Sequence, residues 1–291
     1  MPAARTPLPG ARWHFQHGPM DIVIGADGDS DFVARAHEAA WRRFVPLLDE
    51  LVAELPLLRA PVRGACTLQG PVARRMWRAC APFAAGFITP MASVAGAVAQ
   101  ELVACYRGPG IDRAFVNNGG DIALHLAPGQ SLRVGLYADL ARLDARQLHH
   151  GIAVDGAIDI THAMPVRGVA TSGWRGRSYS LGVADSVTVL AATAAMADAA
   201  ATVIANAVDV ADARIVRRPA CELKDDSDLG AIPVTVDVPR LDATAVRAAL
   251  LRGLAQAQGL QAEGLVEACA LVCQGLMMRT GPSITTEAIA A

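Results

Sequence analysis

The sequence predicts an α+β fold, in which mixed and antiparallel sheets are covered by helices. Short segments rich in β-branched residues recur between Asp21 and Val238 and predict strands. Longer segments rich in alanine and leucine, preceded by residues that favour helix N-caps, predict helices. The two kinds of segment do not alternate as a regular βαβ repeat would require. We therefore expect residues 1–291 to form one domain, with residues 1–20 as an N-terminal arm or an edge strand.

The composition of the chain argues against a nucleic-acid-binding protein and against a membrane protein. The chain has 291 residues with a net charge of −2 and no basic block, so nothing indicates a nucleic-acid partner. The two most apolar windows, Ala81–Ala104 and Val187–Val208, are both interrupted by polar residues, so no membrane partner is expected. The start has no apolar signal-peptide core, and the six cysteines form no CxxC pair. These features predict a cytoplasmic protein with reduced thiols, and a homodimer is the general expectation.

The first third of the chain is predicted to be mainly helical. After a short strand at Asp21–Ile24, capping residues precede a helix from Phe32 to about Leu55, which Pro46 is expected to bend. A second helix is predicted from Val72 to Ala81. A third begins near Thr89, with proline at its first position, and runs to about Tyr106.

A hairpin is predicted where the pattern changes to strands. Ala114–Val116 and Ile122–Leu126 flank a turn that contains two asparagines, two glycines and an aspartate. Glycine pairs favour hairpin turns because they accept positive φ. A turn alone does not need so many polar side chains, so the same residues are candidates for a ligand-facing loop.

Further strands are predicted at Leu132–Ala138, Gly151–Thr161 and Pro233–Val238. Two closing helices are expected at about Asp242–Gln258 and Ala262–Met277, separated at Gly259. In the second of these helices Cys269 and Cys273 would share a face.

The stretch from Gly168 to Ala207 carries the candidate metal site. Two strands are followed by an alanine-rich helix, for which Thr193 is the expected N-cap. Inside that helix Asp198 and Thr202 are four residues apart and therefore lie on one face. Two interpretations stay open. The acid either lies on a solvated face or pairs with an arginine, or it joins the hydroxyl in an oxygen-ligand site that suits Mg²⁺.

No common catalytic motif is present: the sequence has no GxxxxGK[ST], GxGxxG, HExxH or GxSxG segment. Three other segments together resemble the ApbE-like superfamily, whose characterised members are FAD:protein FMN transferases. They are Thr171–Gly173, Asn118–Ile122, and Ser186–Val189 followed by Ala197–Thr202. The resemblance is closest to a short, uncharacterised cytoplasmic branch of that superfamily. Further matches to this branch are Pro90–Ala97, Ser227–Gly230, Ser172, Gly173, Gly176, Ser178, Ser180, Gly182, Ala184 and Asp185.

The resemblance implies a site and an activity. Asp198 and Thr202 would hold Mg²⁺, which would neutralise the pyrophosphate of FAD. The FMN half of FAD would pass to a serine or threonine hydroxyl of an acceptor protein, with AMP leaving. The ligand-binding residues implied are Asn117, Asn118, Gly119, Gly120, Asp121, Thr171, Ser172, Gly173, Ser178 and Ser180.

The chain departs from the flavin transferases at two places. Their His-Ile-x-Asp-Pro-x-Thr-Gly segment is missing after Gly173, and no lysine occurs between Ile88 and Gly96, where they have one. No catalytic residue is therefore assigned. Our leading hypothesis is Mg²⁺-dependent binding of a phosphorylated heteroaromatic ligand such as FAD, with nucleotidyl or FMN transfer. The alternatives are a biosynthetic enzyme that acts on a pterin-like cofactor precursor and a non-catalytic binding or assembly protein that retains the pocket.

Overall fold

The computed structural model describes residues 2–136, 156–176 and 178–281. The helices and antiparallel strands of these residues confirm the predicted α+β class. The helices are α1 (Ser30–Phe44), α2 (Leu47–Ala53), α3 (Leu55–Leu58), α4 (Pro71–Cys80), α5 (Val94–Val103), α6 (Ala194–Ala207), α7 (Ala220–Leu223) and α8 (Ala243–Ala262). No helix in this part of the chain is long and apolar enough to cross a membrane.

The chain divides into two compact units. The first unit comprises residues 1–132, 161–170 and 190–199, and the second comprises residues 133–160, 171–189 and 200–291. The strands are β1 (Ala4–Leu8), β2 (Arg12–His17), β3 (Met20–Gly28), β4 (Ile111–Asn118), β5 (Asp121–Leu126), β6 (Ser131–Leu136), β7 (Gly156–Thr161), β8 (Gly168–Ser172), β9 (Ser186–Ala191), β10 (Val216–Pro219), β11 (Pro233–Asp237), β12 (Ala268–Cys273) and β13 (Leu276–Thr280).

In the first unit the strands lie in the order β1-β2-β3-β4-β5-β8, and the pairs from β1 to β8 are antiparallel. In β3 the residues from Met20 to Ile24 alternate between buried and more exposed positions, as expected for a strand with one face on the core. Helix α5 packs against β4 and β5. Residues 1–20, expected as an arm or an edge strand, form β1 and β2.

Proline and capping residues set the helix boundaries in this unit. Asp29 Oδ1 accepts hydrogen bonds from the N–H groups of Asp31 and Phe32 at 3.0 and 3.3 Å, which begins α1. The helix predicted to bend at Pro46 is in fact interrupted there, because α1 ends at Phe44 and α2 begins at Leu47. Helix α5 is preceded by a 3-10 turn at Pro90–Ser93, where proline occupies the first position.

The second unit contains the strand order β9-β12-β13 and the pair β10-β11, with α8 packed against β12 and β13. Strands β6 and β7 pair with each other and coincide with the described parts of the predicted strands Leu132–Ala138 and Gly151–Thr161. The remainder of those two predictions, at residues 137–155, lies outside the described residues.

The last predicted helix, Ala262–Met277, is wrong. Helix α8 continues through Gly259 to Ala262, and the chain then forms the antiparallel hairpin β12-β13. All six residues of β12 are buried, so the strand lacks the polar alternation that distinguishes strand from helix in a sequence. The hairpin turns at Gln274 and Gly275, whose φ values are 46° and 82°. Cys269 and Cys273 are thus strand residues and do not share a helical face.

Candidate functional site

The polar loop predicted from the sequence is the turn of the β4-β5 hairpin. Asn118 pairs with Asp121 across a two-residue turn, in which Gly119 and Gly120 have φ values of 68° and 111°. Both values lie in the left-handed region that favours glycine. The side chain of Asn117 stabilises this turn, because its Oδ1 accepts a hydrogen bond from the Gly120 N–H at 2.8 Å. The predicted hairpin is confirmed.

Helix α5 connects this hairpin to Asp198. The Gly96 N–H donates a hydrogen bond to Asp198 Oδ2 at 2.9 Å, and one residue earlier the Ala95 carbonyl accepts a hydrogen bond from Asn118 Nδ2 at 3.2 Å. Adjacent backbone groups of α5 therefore hold the carboxylate on one side and the hairpin on the other. All of these residues belong to the first unit.

Glycine is required at position 96 by this arrangement. A Cβ atom there would lie 2.3 Å from the Ala194 carbonyl oxygen and 2.9 Å from the Cβ of Asp198. The backbone of α5 thus contacts the start of α6 without an intervening side chain.

The environment of the Asp198 carboxyl favours its protonated form. The pKa of Asp198 is raised well above its ordinary value, first by burial and then by the negative charge of Asp121, although N–H groups of Gly96 and Ala95 lower it. No arginine or lysine pairs with Asp198 in the part of the chain that the structure describes. The side chain is half-buried, so it does not lie on a fully solvated helix face.

The carboxyl groups of Asp198 and Asp121, whose charges interact, could both offer oxygen atoms to a divalent cation. Thr202, the other predicted metal ligand, is also half-buried and lies one turn further along α6. Among the residues described, no group of three or more histidine, cysteine, aspartate or glutamate side chains could hold a metal by itself. Mg²⁺ is commonly bound by one or two carboxylates and completed by water and ligand phosphates, so the residues present fit that ion.

The start of α6 is held by two side chains. Thr193 Oγ1 accepts a hydrogen bond from the Met196 N–H at 3.3 Å, which confirms the predicted N-cap. Gln100 Oε1 accepts a second hydrogen bond, from the Ala195 N–H at 3.3 Å. Gln100 was not among the predicted residues, because its role depends on the contact between α5 and α6 and leaves no local pattern in the sequence.

The other predicted ligand residues belong to the second unit. The Thr171 and Thr188 hydroxyl groups are hydrogen-bonded at 3.0 Å, and Ser172 is half-buried, whereas Ser178 is exposed. Gly173 is closely packed, since a Cβ atom there would lie 2.4 Å from the Asp185 carbonyl oxygen. That glycine is thus needed for backbone packing.

Ser180 does not present its hydroxyl to a ligand in this structure. The residue is 1% exposed, and its hydroxyl donates to Asn206 Oδ1 at 3.2 Å and accepts from the Gly182 N–H at 3.2 Å. Asn206 Oδ1 also accepts a hydrogen bond from the Leu181 N–H at 2.9 Å. The match at Ser180 therefore reflects a buried hydrogen-bond network.

A family model described as AbpE bacteria matches residues 4–280 of this chain. The chain belongs to this AbpE family. The assignment confirms the predicted ApbE-like superfamily membership. The sequence is also similar to several UPF0280 proteins. That of Methanopyrus kandleri is 37% identical over 212 residues, which cover 71% of this chain and 78% of the relative. That of Methanosarcina acetivorans is 32% identical over 200 residues, covering 68% of this chain and 72% of the relative.

Two solved structures align with this member of the AbpE family at low identity. One is the apo form of the flavinyl transferase ApbE of Pseudomonas stutzeri, with 14% identity, a TM-score of 0.49 and coverage of 98% of this chain and 94% of that chain. The other is the apbe protein of Thermotoga maritima, with 12% identity, a TM-score of 0.49 and coverage of 96% of both chains. Identities and scores this low support no statement about activity.

Proposed function

We propose that this protein binds a phosphorylated heteroaromatic ligand together with Mg²⁺, and that Asp198 is the principal protein ligand of the ion. The observation that carries the proposal is the half-buried Asp198 carboxyl, which lies close enough to Asp121 for the two charges to interact and has no basic partner among the described residues. Two neighbouring carboxylates repel each other unless a cation or a proton separates their charges.

A phosphate-bearing ligand follows from the small number of protein donors. Asp198 and Asp121 supply carboxylate oxygens, and Thr202 would add a hydroxyl from the same helix as Asp198. An octahedral ion held by so few groups is completed by water and by oxygen atoms of a phosphate. When bound, Mg²⁺ would supply charge neutralisation of that phosphate, which makes phosphorus more susceptible to attack. The turn at Gly119 and Gly120 would offer exposed backbone beside the ligand.

Within this ligand class we propose FAD, with transfer of its FMN half to a protein hydroxyl. The support for this finer assignment is the retention of the Asn-Gly-Gly-Asp turn, the Thr-Ser-Gly segment and the Asp198/Thr202 pair in one chain. The protein groups assigned here bind and orient the ligand. None of them is assigned the removal of the proton from the acceptor hydroxyl.

A non-catalytic binding protein is the second candidate. It is favoured by the segment between Gly173 and Ser186, which contains no histidine and lacks the motif that the flavin transferases carry there. A protein with the ion site alone would hold the ligand without cleaving it. Both candidate proteins would therefore bind the ligand, but only the transferase would cleave it.

The test is calorimetric titration of FAD with and without Mg²⁺, followed by chromatography for AMP release. Asp198→Asn and Asp121→Asn should each abolish the Mg²⁺-dependent part of binding. Asp49→Asn is the matched control, because Asp49 is an exposed carboxylate on α2 of the same unit. Binding with AMP release supports the transferase, and binding without release supports the second candidate. If Mg²⁺ changes neither the affinity nor the heat of FAD binding, the proposal is wrong.

A further inference from the structure

A cavity lies in the first unit where α4, α5 and the start of α6 meet, and all of its lining residues belong to that unit. Its volume is about 300 Å³, at the lower end of the range of small-molecule sites. The polar side chains of its lining are Arg75, Arg78, Gln100 and Thr193, and none of the described residues that line it is acidic. Asp198 does not line this cavity, so it is a different site from the one proposed above.

Three of these side chains have hydrogen-bond donors that are not used within the described part of the chain. Arg78 is exposed and makes no ion pair or hydrogen bond with any described residue. Gln100 and Thr193 each accept a hydrogen bond from an N–H group of α6 through the side-chain oxygen. No described residue accepts a hydrogen bond from the Gln100 amide nitrogen or from the Thr193 hydroxyl. A guanidinium, an amide and a hydroxyl from three different elements thus line one cavity as donors.

The charge of Arg75, the other arginine of the lining, is balanced by neighbouring acids. Its guanidinium donates to a Glu101 carboxylate oxygen at 2.8 Å, and the same carboxylate accepts a hydrogen bond from Arg43 at 2.7 Å. Arg43 in turn pairs with Glu50 at 2.8 Å. This network contains two cations and two anions, so its net charge is zero. The excess positive charge that the described lining offers to a ligand is therefore that of Arg78.

The rest of the lining is apolar and consists of Pro71, Ala79, Ala195 and Met196. Burial of hydrocarbon against such a surface is favourable, and an inorganic ion would gain nothing from it. The lining therefore suits an organic anion with a hydrocarbon body.

We propose that this cavity binds a small monocarboxylate with a short aliphatic chain. The two oxygen atoms of an ionised carboxylate together accept about four hydrogen bonds. The Arg78 guanidinium can donate two of them side by side, and the Gln100 amide and the Thr193 hydroxyl would donate the others. The single negative charge of a carboxylate matches the charge of Arg78, whereas a phosphate monoester carries a charge of about −1.5 to −2. The proposal depends neither on Asp198 nor on a metal ion.

The test is a ligand-observed NMR titration of the full chain with butyrate, with butyramide as the uncharged analogue and inorganic phosphate as a second anion. Saturable binding of butyrate is expected, with weaker binding of the other two compounds. Arg78→Gln should weaken butyrate binding about tenfold, the usual effect of losing a hydrogen bond to a charged group. Arg74→Gln is the matched control, because Arg74 is exposed on the same helix outside the cavity and its loss changes the net charge equally.

Gln100→Glu tests the amide donor separately. Glutamate keeps an oxygen atom that can accept from the Ala195 N–H, but it has no NH₂ group and it adds a negative charge to the cavity. This variant should retain the circular dichroism spectrum of the wild type and lose butyrate binding.

The inference is overturned if butyrate does not bind saturably, if Arg78→Gln and Arg74→Gln have equal effects, or if folded Gln100→Glu binds butyrate as the wild type does. It is also overturned if butyramide or inorganic phosphate binds as tightly as butyrate. Butyrate should bind equally well with and without Mg²⁺, and a requirement for Mg²⁺ would assign the binding to the Asp198 site instead.

Discussion

Replacing Gly96 by alanine tests the contact on which the candidate site depends. The added Cβ atom would lie 2.3 Å from the Ala194 carbonyl oxygen, which is backbone and cannot rotate away. Helices α5 and α6 would have to separate, and the hydrogen bond from the Gly96 N–H to Asp198 Oδ2 would lengthen from 2.9 Å. Overpacking of this kind costs about 1–3 kcal/mol, and a lost hydrogen bond costs about 1 kcal/mol more.

The expected loss of unfolding free energy for Gly96→Ala is thus about 2–4 kcal/mol. In a chain of this length each kcal/mol shifts the midpoint of thermal unfolding by about 2 °C, so the midpoint should fall by about 4–8 °C. Thermal and urea unfolding followed by circular dichroism measure both quantities. The affinity for Mg²⁺ should fall as well, because the carboxylate moves with α6.

Gly259→Ala is the control, since Gly259 lies inside α8 and an added Cβ atom there would meet nothing within 4 Å. Alanine favours a helix over glycine by about 1 kcal/mol, so this variant should be slightly more stable than the wild type. If Gly96→Ala lowers the free energy of unfolding and Gly259→Ala raises it, the close contact of α5 with α6 is supported. If Gly96→Ala is as stable as Gly259→Ala, that contact does not exist in solution.

Three other predictions concern single side chains. Asp198→Asn should stabilise the metal-free protein at pH 8 and have little effect at pH 4, measured by urea unfolding. The raised pKa of Asp198 means that the folded protein keeps a proton that the unfolded chain loses above about pH 4, so wild-type stability falls as pH rises through that window. Thr193→Ala should lower the unfolding free energy by about 1 kcal/mol, because α6 loses its N-cap, whereas Thr193→Ser should preserve it. Asn206→Ala should cost about 1–3 kcal/mol, because it leaves the Leu181 N–H without its acceptor, and hydrogen exchange at that amide should accelerate.

Capping, proline and glycine residues made part of the fold predictable from the sequence. The Thr193 cap, the proline at the start of the turn before α5 and the glycine pair between β4 and β5 each act over a few residues, and each is found where the sequence indicates. Strand β12 was not predictable in this way. It is buried along its whole length, so its sequence reads as a continuous apolar run with no period.

The candidate site was predictable only in part, because the contacts of Asp198 come from residues far away in the sequence. Spacing put Asp198 and Thr202 on one helical face, but it left open whether the acid is solvated, paired with arginine or free to bind a cation. The contact that Asp198 makes comes from α5, which is about 100 residues away in the sequence and donates the Gly96 N–H to the carboxylate. Ser180 matches a motif of the family, but its side chain is buried and its hydroxyl is hydrogen-bonded to Asn206 and Gly182. A sequence match at this position therefore did not identify a ligand-facing residue.

The small residues around Asp198 also determine how its negative charge can be balanced. Gly96 and the alanines of α6 let two helices come into backbone contact, and such a wall contains no long side chain that could bring a cation to the carboxylate. Within the described chain the charge that raises the pKa of Asp198 is that of another acid, Asp121. The negative charge must therefore be balanced by a proton or by an ion from solution. The protonation of this site should depend on both pH and divalent cations, and a cation that binds there must displace the proton that Asp198 otherwise holds.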